Sequence, residues 1–322
     1  MARVLTGIQS TGIPHLGNLL GAIIPTIEMS KQNDNEVFSF IADMHSLTGI
    51  KDGAVIRENT YAVAATWLAF GIDIEKNVFY RQSDVPEVTE LAWYLNCFMP
   101  FNRLQLAHSF KDKSDRANEV NAGLFSYPML MSADILLYDA EIVPVGKDQK
   151  QHLEFTRDVA GKVNNKYGEI FTIPEISLNG KAMYVPGVDG QKMSKSYGNT
   201  VNIFLPDKNL RKVIMKIKTD DKGLDDVKDP KTCTIFTLYA LLANKDQTDQ
   251  MEQKYSGGNY GYGHAKQELF ELIIKKFAKE RTIYNDLMNN KTLLDEHLAI
   301  GAKKARETAK VTLKRIRAVL GY

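Results

Sequence analysis

Apolar runs of four to eight residues alternate with longer stretches of helical spacing over the first part of the chain. Ala2–Ile8 is a short apolar run that ends in a cluster of turn formers, Gly7 to Asn18, and this predicts a buried strand feeding a loop. Helical spacing follows from Asn18 to Met29, and Pro25 inside it predicts a kink or a delayed helix start. Glu36–Ala42, with Val37, Phe38, Phe40 and Ile41, reads as the next strand. Ala54–Phe70 is helical and Ala-rich, Asn77–Arg81 is a strand, and Val88–Met99 is a helix. Ile142–Val145 is a short strand before a helix from about Gln149 to Asn164. Strands alternating with helices predict an α/β fold with a parallel sheet covered on both faces, and such sheets bind ligands beyond the carboxyl ends of their strands.

The pattern changes after about residue 200. Residues 207–322 carry almost no strand signal and read as successive helices, separated by the polar Thr219–Lys231 and the glycine-rich Ser256–Gly263. A length of 322 residues suits two structural units. Hydrophobic residues at 44% and charged residues at 25% exclude a disordered chain, a collagen or a coiled-coil rod. The formal charge of +2 says little about partners, but the sign is unevenly spread: Ala302–Tyr322 holds seven Lys/Arg against one acid, Glu307. That segment fits an RNA-facing surface or a solvated helix face equally well. Cys97 and Cys233 match no metal spacing and no disulfide framework. The longest apolar stretch, Tyr61–Ile72, is too short for the roughly 20 residues of a membrane span, and the N-terminus has no signal-peptide pattern. A cytoplasmic protein with no membrane partner is expected.

Common nucleotide and hydrolase fingerprints are absent: no G-x-x-x-x-G-K-[ST], no G-x-G-x-x-G after the first strand, no H-E-x-x-H, no G-x-S-x-G. Two other segments carry chemistry. Between the first strand and the first helix stands Gly12-Ile-Pro14-His15-Leu16-Gly17-Asn18, where small residues let backbone approach a phosphate and a helix start offers free N–H groups. Far downstream, Lys192-Met193-Ser194-Lys195-Ser196 puts two lysines on a loop flanked by Gly187, Gly190 and Gly198. A cationic clamp of that kind suits the charge that builds on a departing pyrophosphate. Asp134 lies in an apolar helical stretch, Met131–Tyr138, where a carboxylate is costly without a partner. Tyr127 and Met131 share its helix face, a stripe that alone reads as core more than as pocket, and Val143 and Val145 alternate along a strand, where core packing explains them as well as a pocket does.

The pairing of Pro14-His15-Leu16-Gly17-Asn18 with KMSKS resembles the class I aminoacyl-tRNA synthetases. Thr6-Gly7-Ile8-Gln9, Ala42-Asp43-Met44-His45, Tyr127–Ile135 (YPMLMSADI), Val145–His152 (VGKDQKQH) and Gly257–Gly263 are similar to the tryptophanyl family within that class, over essentially the whole chain. The sister tyrosyl family carries a different string around Gly146–Gln149. Met44 and Lys147 depart from the residues frequent in the family, and Lys147 places a positive charge where a glutamate is frequent.

The resemblance implies a Rossmann-like catalytic domain over residues 1–200, a helical anticodon-binding domain over 201–290 and a C-terminal helix, 291–322, packing back on the catalytic domain. It implies a tryptophan–tRNA ligase that forms tryptophanyl-adenylate and pyrophosphate from L-tryptophan and ATP, then charges tRNA(Trp). By the same resemblance His15, Lys113, Lys192 and Lys195 neutralise phosphate charge, with Lys111 an alternative to Lys113. ATP is expected on Gln9, Ser10, Thr11, Gly17, Asn18, Gly146, Lys147, Asp148, Val185, Lys192, Met193, Ser194, Lys195 and Ser196. Tryptophan is expected on Leu5, His45, Tyr127, Met131, Asp134, Ile135, Val143, Val145 and Gln149, with Asp134 accepting the indole N–H. No protein metal site is expected, since Mg²⁺ would be held through ATP. The family works as a homodimer, with Val88–Lys113 (Leu91, Trp93, Phe98, Phe101) at the candidate interface. A tyrosyl relative, a small-substrate adenylyltransferase and a silent tRNA- or protein-binding paralogue remain as rival readings.

Overall fold

The computed structural model describes residues 2–31, 35–107, 120–146, 149–178 and 184–322. Lys111, Lys113, Lys147 and Asp148 therefore lie outside the described residues. Five parallel strands form one sheet: β1 (Ala2–Gln9), β2 (Asn35–Ala42), β3 (Val78–Arg81), β4 (Ile142–Val145) and β5 (Glu175–Leu178), in the order β3-β2-β1-β4-β5. The expected α/β class with a Rossmann-like parallel sheet is what forms. The order reverses between β1 and β4, so a crevice opens past the carboxyl ends of these two strands. Glu175–Leu178 was not predicted as a strand: four residues with a single apolar alternation carry too little period.

Helix α1 (Leu16–Asn18) starts at His15, whose Nδ1 accepts the Asn18 N–H while the Asn18 side chain accepts the His15 N–H. The chain then runs through a π turn, Leu19–Ile23, into α2 (Ile24–Ser30). The delayed start expected at Pro25 is what forms: the regular helix begins only at Ile24 with Pro25 in its first turn, and the ladder just before it widens, with Ile24 N–H bonding Leu19 O. The remaining elements that frame the crevice are α3 (Asp43–Ser46), α4 (Gly53–Ala69), α5 (Glu87–Phe98), α6 (Phe101–Leu104), α7 (Ala122–Leu136) and α8 (Lys150–Tyr167).

Beyond residue 200 the described chain is helical: α9 (Asp207–Met215), α10 (Thr234–Leu242), α11 (Lys245–Gly257), α12 (Tyr262–Lys276), α13 (Ala278–Met288) and α14 (Lys291–Leu320). One apolar cluster runs without a break from Leu16, Ile41 and Trp67 to Phe204, Leu238, Ile273 and Leu298, so the helical half shares its core with the side of the sheet nearest it. Helix α14 lies on β3 so closely that a Cβ at Gly301 would sit 1.8 Å from the Phe79 carbonyl oxygen. Four of the seven cations of the basic tail are bonded to this chain: Lys304 to the Ile74 and Glu75 carbonyls, Arg306 to Glu87, Arg315 to Asp139 and Arg317 to Glu90. Lys303, Lys310 and Lys314 face solvent. Much of the charge that suggested RNA thus holds the last helix in place.

Candidate active site

The crevice between β1 and β4 is a cleft of about 630 Å³. Its floor is Leu5 to Gln9 of β1 and Val143 to Gly146 at the end of β4; α7 supplies Tyr127, Met131, Asp134 and Ile135 along one wall. His15, Gly17 and Asn18 enter from α1, Thr11 from the loop before it, His45 from α3, and Gln149 from the start of α8. Lys192, Ser194 and Lys195 close the opposite side. Residues distant in sequence therefore meet because the sheet brings two strand ends side by side.

At the inner end Asp134 is 2% exposed. Its Oδ2 lies 2.9 Å from His45 Nε2, and Gln82 Nε2 donates to Oδ1 at 2.8 Å and to Oδ2 at 2.9 Å. Burial raises the pKa of this carboxyl, and the His45 and Gln82 hydrogen bonds pull against that rise. Asp43, also buried, accepts from the Ser83 N–H at 3.0 Å and from Ser83 Oγ at 2.5 Å. That bond ties the 3₁₀ turn carrying Gln82 (Gln82–Asp84) to the short helix carrying His45. The Tyr127 hydroxyl meets His152 Nε2 of α8 at 3.0 Å, which fixes the ring against the cleft wall.

At the outer end the lysine loop is strapped down at several points. Leu16 N–H bonds Val201 O at 2.9 Å, Met193 N–H bonds Val185 O at 2.9 Å, and Pro186 bridges Lys192. Asn199 spans the loop, its amide donating to Asp189 and the Lys192 carbonyl while its oxygen accepts the Ser194 N–H. Gly190 at φ +84° and Gly198 at φ +63° make the turns that a side chain would strain. Lys195 Nζ donates to the Gly12 carbonyl at 2.7 Å, so the two signature segments touch directly. Burial lowers the Lys195 pKa to about 8. Burial, followed by the nearby Lys195 charge, lowers His15 to about 4. That shift favours the neutral ring, with Nδ1 accepting from Asn18 and Nε2 left as the donor; an anion beside the ring would push the pKa back up.

Most of the expected residues meet here, and a few do not. Ser10 is buried with its hydroxyl on Ser46 at 3.1 Å and Met193 belongs to the apolar core, so their side chains do not line the cleft; Val185 is core as well, which leaves the backbone contact expected of it unaffected. Ser196 is exposed and bonds Ser194. Gln82 was missed: one glutamine after a strand forms no motif, and only the folded turn brings it to Asp134. Among the described residues no group of three or more His, Cys, Asp or Glu converges to hold a metal ion, and the free charges of the cleft wall are cationic.

Residues 1–278 match the family model described as tRNA synthetases class I (W and Y). The chain is 46% identical over 319 residues to the tryptophan–tRNA ligase of Campylobacter jejuni, covering 99% of each sequence. It is 44% identical over 322 residues to the tryptophan–tRNA ligase of Fusobacterium nucleatum, covering 100% of this chain and 98% of that one. The crystal structure of the Campylobacter jejuni tryptophanyl-tRNA synthetase complexed with ADP and tryptophan superposes with a TM-score of 0.96 at 45% identity, over 99% of this chain and 100% of that one.

Proposed function

Because the chain belongs to the class I tRNA synthetases of the W and Y type, we infer that it is a tryptophan–tRNA ligase, and that the cleft activates L-tryptophan with ATP. A carboxylate oxygen of tryptophan attacks the α-phosphorus in line; the bond from that phosphorus to the bridging oxygen breaks, and pyrophosphate leaves with the electron pair. A carboxylate is an adequate nucleophile without a general base, so positioning and charge stabilisation carry the step. The terminal ribose hydroxyl of tRNA(Trp) then takes the acyl group and AMP departs.

One observation carries this reading: a single cleft holds a buried acceptor, Asp134, at one end and two lysines on a glycine-hinged loop at the other. Asp134 suits the indole N–H, and an analogue without that donor, such as phenylalanine, would leave it unpaired. Leu5, Tyr127, Met131, Ile135, Val143 and Val145 would pack the ring, while His45 holds Asp134 and Gln149 meets the ammonium or carboxylate. Gln9, Thr11, Gly17, Asn18 and Gly146 border the space left for the nucleotide. His15 donates a hydrogen bond to phosphate, and Lys192 and Lys195 bring charge. Lys113, Lys147 and Asp148 keep their expected roles as proposals. Mg²⁺ enters only as the ion that accompanies the ATP phosphates, and no step is routed through it.

Two further expectations belong to the same reading. Trp93 and Phe101, 67% and 61% exposed, would be covered in a homodimer, whereas Leu91 of the same segment is already core. The helices beyond residue 200 would read the tRNA anticodon. Pyrophosphate exchange into ATP without tRNA, offered tryptophan, tyrosine and phenylalanine separately, tests the central inference. Exchange with tryptophan alone is expected; exchange with tyrosine, or with none of the three, contradicts it.

A further inference from the structure

Asp134 has no cationic partner of fixed charge among the described residues. Its bonds come from His45 and Gln82, and Gln82 alone of the two reaches both oxygens. The donor of Gln82 is a single amide nitrogen forked across the carboxylate at 2.8 and 2.9 Å, a geometry that sets the rotation of the carboxyl plane. The amide is itself anchored: its oxygen takes the His45 backbone N–H at 3.4 Å, and the next residue, Ser83, is pinned twice to Asp43. Gln82 is 1% exposed and lines no part of the cleft, so it cannot touch a substrate there directly. Counting bonds, Oδ2 accepts two and Oδ1 one, which leaves Oδ1 with an open acceptor position.

We propose that Gln82 is the positioning residue for amino-acid selection, turning the Asp134 carboxylate so that its open acceptor position meets the ring N–H of the amino acid. This rests on the tryptophan-activating reading given above. A neutral amide suits the task better than a cation would. Lysine or arginine at this place would spend the carboxylate's charge on itself, whereas an amide fixes direction and leaves the charge for the substrate donor. The groups that face Asp134 are His45 and Asp43 from α3, Gln82 from the turn after β3, Tyr80 from β3 and Tyr138 just past α7. Burial and the like charge of Asp43 favour the protonated carboxyl, and His45 and Gln82 oppose them. Removing the Gln82 donor therefore both frees the carboxyl plane and moves its protonation towards neutral pH.

The test is tryptophan-dependent pyrophosphate exchange across a pH series with the full chain and its Gln82→Met variant, which keeps length and removes the donor. We expect KM for tryptophan to rise roughly 10- to 100-fold with kcat held within about twofold. KM for ATP should stay put, the acid limb of kcat/KM for tryptophan should move to higher pH, and selectivity over phenylalanine should fall. An unchanged KM and acid limb, or a loss confined to kcat, overturns the proposal. If Gln82→Met fails to fold, Gln82→Glu decides. Two buried carboxyls would then share a proton and titrate as a pair, so KM for tryptophan should climb with rising pH where the parent's is flat. A flat profile in Gln82→Glu also overturns the proposal. Failure of the underlying reading looks different: the unsubstituted protein itself would not exchange with tryptophan.

Discussion

Asp134 and Lys195 face each other across one cleft, and burial pushes both towards their neutral forms, but the fold treats them differently. Asp134 stands on a helix inside the core, with forked bonds from Gln82 and a bond from His45 that offset the cost of its charge. Lys195 stands on a loop turned by Gly190 and Gly198; burial alone moves its pKa, and its ammonium holds nothing stronger than the Gly12 carbonyl. An acceptor that must reject a near-isostere gains from not moving, since a misplaced partner discriminates poorly. A cation that must meet charge appearing only during the reaction gains from a partner it can leave. On the proposed function, the inner end would select and the outer end would stabilise a transient charge.

The contrast breaks if either residue does the other's work. Replacing Lys195 should have the largest effect: Lys195→Ala is expected to slow adenylate formation roughly 100- to 1,000-fold in single-turnover experiments, with KM for tryptophan within about twofold. A variant that instead weakens tryptophan binding would merge the two ends. Asp134→Asn comes next. The amide must point its NH₂ at donors from Gln82 or His45, so KM for tryptophan should rise roughly 10- to 100-fold while kcat changes little, read from steady-state exchange.

The smallest effect is in pH dependence. With Lys195 at about 8, kcat/KM for ATP should be level below that pH and decline above it, and Lys195→Arg should remove the alkaline limb. Stability carries the matching sign. The folded-state pKa lies below the unfolded value of 10.5, so the folded protein holds an unfavourable charge below about pH 8 and regains stability as pH climbs from there towards 10.5. Lys195→Met should accordingly melt higher than the parent at pH 7, by a margin that narrows as pH rises; a constant margin would show that burial of the charge is not its cause.

Legibility in the sequence follows the same divide. The outer end was readable because its chemistry is contiguous: glycines, lysines and a helix start fall in two short strings, and the folded chain joins them through Lys195 and Gly12. Strands with a sustained apolar run, such as Ala2–Gln9 and Asn35–Ala42, are readable for the same reason, whereas Glu175–Leu178 takes its place only by pairing with β4. At the inner end Asp134 stood out as a carboxylate in an apolar stretch, but its holder Gln82 comes from another strand end and leaves no local trace. Ser10 and Met193, expected on ATP by the family resemblance, turn their side chains inward, Ser10 onto Ser46 and Met193 into the apolar core, because position in a loop does not fix which way a side chain turns; the backbone contact expected of Val185 does not depend on its side chain. The lowered pKa of His15 comes from how deeply its ring is buried beside Lys195, a tertiary fact.

The two ends of the cleft should act independently, and a double-substitution cycle tests this. Asp134 and Lys195 share no hydrogen-bond partner, so their effects on kcat/KM for tryptophan should multiply. Lys195→Ala combined with Asp134→Asn should lose the product of the two single losses, within about threefold. A double variant no worse than Lys195→Ala alone would mean that the carboxylate and the lysine act as one unit, and would contradict that independence.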